Sequence, residues 1–174
     1  MTCATILLKC LILPLLYQEV NAEFVIEWVN CTSDNHEISR YEVCSVSSNK
    51  RNQQTFSYYA KIFTTVSACD TRVEIIYLTP PKPLTLANIS FDACELLKGR
   101  KRFVAAKRLF DIIEKHTNFN HTCPYNHDVF GTNITLAPEK LPFPKPHGKY
   151  SVKISFYVNG KANTMMVAGV GRVM

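Results

Sequence analysis

The sequence predicts a mainly β fold, a two-sheet antiparallel sandwich with one inserted α-helix. Three observations carry this prediction. Most of residues 23–174 alternate apolar and polar side chains with period two, one segment alone has helical spacing, and proline clusters separate the alternating runs. The sequence shows no internal repeat and no low-complexity tail.

Residues 1–22 read as a cleaved signal peptide. Lys9 sits in a run of Ile6, Leu7, Leu8, Leu11, Ile12, Leu13, Leu15 and Leu16, and Val20-Asn21-Ala22 ends in small residues of the kind signal peptidase requires. Pro14 interrupts the run, which falls short of the ~20 apolar residues of a spanning helix. Residues 23–174 then form a single domain, and a chain of that length buries roughly 68–70 % of its unfolded surface.

The opening strand places Phe24, Ile26 and Trp28 on one face and Val25, Glu27 and Val29 on the other. A second run from Thr55 to Val66 aligns Phe56, Tyr58, Ala60, Ile62 and Val66. Val73, Ile75 and Tyr77 make a third run, closed by Thr79-Pro-Pro-Lys-Pro83. Ala87, Ile89, Phe91 and Ala93 make a fourth, with Asn88 on its opposite face. Near the C-terminus Tyr150, Val152, Ile154, Phe156 and Val158 alternate with polar residues. Asn159-Gly160 supplies a type I′ hairpin turn, and Thr164–Val170 returns as partner. Four prolines exclude ladder structure between Pro138 and Gly148. The helix spans about Arg102 to His116, with Phe103, Ala106, Phe110 and Ile113 on its apolar stripe and Lys107, Arg108, Asp111, Glu114 and Lys115 opposite.

Of seven cysteines, Cys3 and Cys10 leave with the signal, so Cys31, Cys44, Cys69, Cys94 and Cys123 remain. Two disulfides and one spare thiol fit this odd number. Cys31–Cys44 and Cys94–Cys123 are the favoured pairs, although four cysteines admit three connectivities. The second pair would staple both ends of the helical excursion. Cys69 is left over, either buried or paired between chains. The sequons at Asn88, Asn120 and Asn133 point to glycosylation and so, like the leader, to a secreted, extracellular protein; Asn30-Cys-Thr is a weaker fourth.

The net charge is +6, and loss of the leader removes one lysine and one glutamate, leaving that balance unchanged. Lys98, Arg100, Lys101, Arg102, Lys107 and Arg108 read as a solvated helix face, and no nucleic-acid partner is expected. No catalytic constellation stands out. Cys123 beside His121 and His127 offers nucleophile and base types, but a secreted cysteine with a disulfide partner is bonded far more often than catalytic. His116, His121 and His127 match no familiar zinc spacing, and His116 suits a helix C-terminus. Asp128 reads as a loop residue. No enzyme activity, metal or cofactor is expected.

Several strings resemble a known family. They are Phe91-Asp-Ala-Cys94-Glu-Leu-Leu-Lys98, the helix after it, Asn118-Phe-Asn-His-Thr-Cys-Pro-Tyr-Asn-His-Asp128 and the stretch Leu141–Pro144. Together they resemble the insect family of secreted proteins with a domain of unknown function, which includes the CheB chemosensory proteins. That family is in turn similar to the ML (lipid-recognition) superfamily, whose immunoglobulin-like sandwiches open between their sheets to bind lipids. The resemblance implies an immunoglobulin-like, ML-like antiparallel β-sandwich over residues 23–174. It also implies a pocket lined by Phe56, Tyr58, Ile62, Phe91, Ile154 and Phe156, the residues that alternation turns between the sheets. Periodicity alone would make the same residues a closed core.

The expected function is therefore a secreted, chemosensory binding protein for a lipid or other hydrophobic, pheromone-like signal. The alternative is a secreted co-receptor or protein-interaction module with a closed core, whose partner is a membrane receptor.

Overall fold

The computed structural model describes residues 23–48, 53–99, 103–136 and 146–173. The leader, the basic run at 100–102 and the Leu141–Pro144 stretch lie outside the described residues. In order, the strands are β1 (Glu23–Ser33), β2 (Ser39–Ser48), β3 (Gln54–Ile62), β4 (Cys69–Tyr77) and β5 (Leu84–Asp92). Helices α1 (Ala93–Lys98) and α2 (Val104–Ile113) follow, the latter continuing as a 3₁₀ turn at Glu114–His116. The chain then returns as β6 (Val129–Ile134), β7 (Gly148–Val158) and β8 (Lys161–Val173).

The strands build two antiparallel sheets, one ordered β1-β8-β7-β4-β5 and one ordered β2-β3-β6. The expected mainly β sandwich is thus present. The β7–β8 hairpin turns at Asn159 and Gly160, whose φ angles of 49° and 76° are those of the expected turn. The Asn159 side chain also ties the hairpin to the loop before β4: its Oδ1 accepts from the Ser67 and Ala68 amides, and its Nδ2 donates to the Thr65 carbonyl.

Three expectations need correction. First, there are two helices, not one, because Ala93 opens α1 instead of continuing the strand. Asp92 accepts a hydrogen bond from the Glu95 amide at 3.0 Å, and this side-chain cap starts a helix that buries Ala93, Cys94, Leu96 and Leu97. Second, a register shift between Ile26 and Trp28 turns Trp28 outward, where it is 48 % exposed and covers Gly169. One extra residue on a strand inverts every later side chain, so strict alternation fails there. Third, β3 ends at Ile62, and Val66 instead pairs with Tyr125 through two backbone hydrogen bonds of 2.8 and 2.9 Å. Beyond these, β2 and β6 join the smaller sheet, two strands for which no alternating run was identified. A shift between Tyr41 and Val43 scrambles β2, and β6 is short and contains Gly131.

Both favoured disulfides form, and Cys69 is free and buried. Cys31 on β1 and Cys44 on β2 belong to different sheets, so their bond closes one side of the sandwich. The opposite side has β5 and β6 as its edges, and α2 packs across both. Cys94 on α1 is bonded to Cys123 in the loop before β6, which confines α2 within a closed loop. The helix therefore fills the side of the sandwich that no direct inter-sheet disulfide holds.

Candidate functional site

The interior is packed in two groups. One gathers α1, α2, Cys69, Tyr125 and Val158; the other gathers Phe24, Val73, Ile75, Tyr150 and Val170, and Phe91 packs against both. Between them lies a cavity of about 290 Å³. Its floor is the cross-strand row Thr71–Phe156, Val73–Ile154 and Ile75–Val152 on β4 and β7. Tyr58, Ala60 and Ile62 of β3 face that row, and Ala106, Leu109, Phe110 and Ile113 of α2 form a side wall.

Tyr58, Ile62, Phe91, Ile154 and Phe156, five of the six residues expected to line a pocket, stand in these walls. Phe56 does not. It stacks on Tyr58 with ring centroids 5.6 Å apart, toward the start of β3 and outside the stretch Tyr58–Ile62 that faces the cavity. Sequence reasoning placed the α2 stripe against the sandwich but not around a cavity, and it missed Tyr125, Tyr150 and Cys69 as wall residues. The helical stripe was a usable signal for α2, whereas Tyr125 carried none beyond its aromatic type.

The block Asn118–Asp128 forms an aromatic wedge. Tyr125 is 1 % exposed, with its ring stacked between Phe119 and His121 at 4.7 and 4.2 Å. Its hydroxyl donates to the His121 carbonyl. His121 and His127 approach through their Nε2 atoms at 2.8 Å, and each Nδ1 lies against a backbone carbonyl, of Thr122 and Asp128 respectively. No group of three or more metal-ligating side chains occurs among the described residues.

Asp128 does more than occupy a loop. It accepts from the Tyr59 hydroxyl at 2.6 Å and from the Ile62 amide at 3.0 Å, fixing the approach to β6 against the end of β3. These two bonds, the phenol first, hold its carboxyl below the usual range. Seen from the other partner, the same bond holds the Tyr59 phenol above its usual value.

Cys69 lies in the cavity wall beside Thr71, and burial pushes its thiol up to about 11. A thiol so rarely ionised is a poor nucleophile. The sequon asparagines Asn88, Asn120 and Asn133 are all exposed, as is Asn30. Among the described residues no helix is long and apolar enough to cross a membrane.

Fold and site thus define an antiparallel β-sandwich with an apolar chamber between its sheets. Residues 72–152 match the model of a family described as a protein of unknown function (DUF1091), which supports assignment to a domain-of-unknown-function family. The matched segment runs from β4 through both helices into β7 and so includes the α2 wall and half of the six floor residues. Comparison with curated proteins gives no match.

Proposed function

We propose that this chain is a secreted glycoprotein that binds a lipid or other hydrophobic signal molecule between its sheets, in a chemosensory, pheromone-carrying role. The finer resemblance to the insect CheB proteins and to the ML superfamily belongs to the same proposal. The observation that carries it is the partial burial of Val152, Ile154 and Phe156. They point inward from β7, a central strand of the larger sheet, where a closed core would cover them fully. A ligand chain occupying this apolar space gains about 0.8 kcal/mol for each methylene it removes from water.

A second reading draws on the outer face of the smaller sheet. Val43, Tyr59 and Phe130 lie side by side across its three strands, with Val43 44 % and Phe130 39 % exposed. That apolar row favours a protein-interaction module docking on a membrane receptor. Native mass spectrometry of the purified protein, joined to titration with a fluorescent long-chain ester, separates the two. Retained lipid and saturable binding, weakened in Phe156→Ala with an unchanged circular dichroism spectrum, support the carrier. An absence of both leaves the interaction module.

A further inference from the structure

The cavity walls contain no aspartate, glutamate, lysine, arginine or histidine among the described residues. Three of their tyrosine hydroxyls are committed to the protein. Tyr58 bonds Thr117 Oγ1 at 3.0 Å, and that threonine donates onward to the Phe130 carbonyl. Tyr125 donates to the His121 carbonyl and Tyr150 to the Pro146 carbonyl. On α2, Lys107 follows the wall residue Ala106, but its ammonium is held at 2.7 Å by Asp111. A carboxylate or phosphate drawn into this space meets no counter-charge and no vacant donor from these groups. It has to enter protonated or stay outside.

We infer that the chamber selects neutral long-chain molecules, hydrocarbons or esters, over ionised fatty acids and phospholipids. This rests on the reading of the cavity as a ligand site. The selection has a quantitative signature. A carboxylic acid of ordinary pKa, about 4.3, is protonated in only about one molecule in several thousand at pH 8. The free acid therefore binds roughly three to four orders of magnitude more weakly than its methyl ester at pH 8. Its affinity climbs about tenfold for each unit that pH falls, until it approaches that of the ester.

The test titrates a pyrene-labelled long-chain methyl ester and the matching free acid into the purified full chain at pH 8 and pH 5, with circular dichroism checking the fold at each. Tight ester binding at both values, with acid binding weak at pH 8 and strong at pH 5, is the expected result. Equal affinity of acid and ester at pH 8 overturns the selectivity, because the head group is then held outside by surface charge, while the carrier reading stands. If neither probe binds at either pH, the carrier reading falls and the selectivity falls with it.

Discussion

The Tyr58 ring lies against the backbone of its cross-strand partner Gly131, so closely that a Cβ there would stand 2.5 Å from Tyr58 Cε1 and 2.8 Å from Ile134 Cδ1. This contact sets the position of a cavity wall, since the Tyr58 hydroxyl is anchored beyond it on Thr117. Gly131→Ala should cost about 1–3 kcal/mol in denaturant melts through overpacking, and should weaken binding of the long-chain ester. A neutral effect on both would mean that the ring shifts freely and does not define the wall.

Phe110 is 5 % exposed on the inner face of α2. Phe110→Ala should destabilise the protein by roughly 3–5 kcal/mol. A loss below about 1 kcal/mol, typical of a surface site, would show that α2 is not packed across the open side of the sandwich.

The two disulfides close loops of unequal length, with sequence separations of 13 and 29 residues. Loop-closure entropy then assigns about 3 kcal/mol to Cys31–Cys44 and about 4 kcal/mol to Cys94–Cys123. Paired alanine substitutions measured by urea melts check these values, and non-reducing peptide mapping checks the pairing. A Cys69 found bridged to Cys94 or Cys123 would overturn the account of α2 as a stapled excursion.

Asp128 gives a pH dependence of known sign. Its folded pKa is depressed, so its contribution is fully present above the unfolded value of about 3.9 and is lost as pH falls through the folded value. Asp128→Asn should therefore lower stability at neutral pH and flatten the acid limb of the stability profile below about pH 4. An unchanged acid limb would remove the carboxylate from that role.

Cys69, buried and with its thiol raised to about 11, should resist iodoacetamide at neutral pH in the folded protein and react only on unfolding. Rapid alkylation of the native chain, read by intact mass, would place that thiol at the surface instead.

Much of this molecule was legible in its sequence wherever a local rule decided the outcome. Alternation at Tyr150–Val158 and the Asn159-Gly160 pair required a hairpin. The apolar stripe from Ala106 to Ile113 required a helix against a core, and the cysteine positions favoured the pairing that forms. The α1 cap was legible too, since Asp92 stands three residues before Glu95, ahead of Leu96 and Leu97. What lay beyond sequence were relations between strands. The shift at Ile26/Trp28 depends on how one strand meets its partner, and it moved Trp28 to the outer face; that Phe56 stands outside the cavity wall is set by where along β3 the chamber ends. The cavity itself was decided only in three dimensions. Periodicity states that Val152, Ile154 and Phe156 turn inward, but whether they meet other side chains or empty space depends on the distance between two sheets. That distance is held at one side by Cys31–Cys44 and at the other by α2, through contacts between residues far apart in the chain.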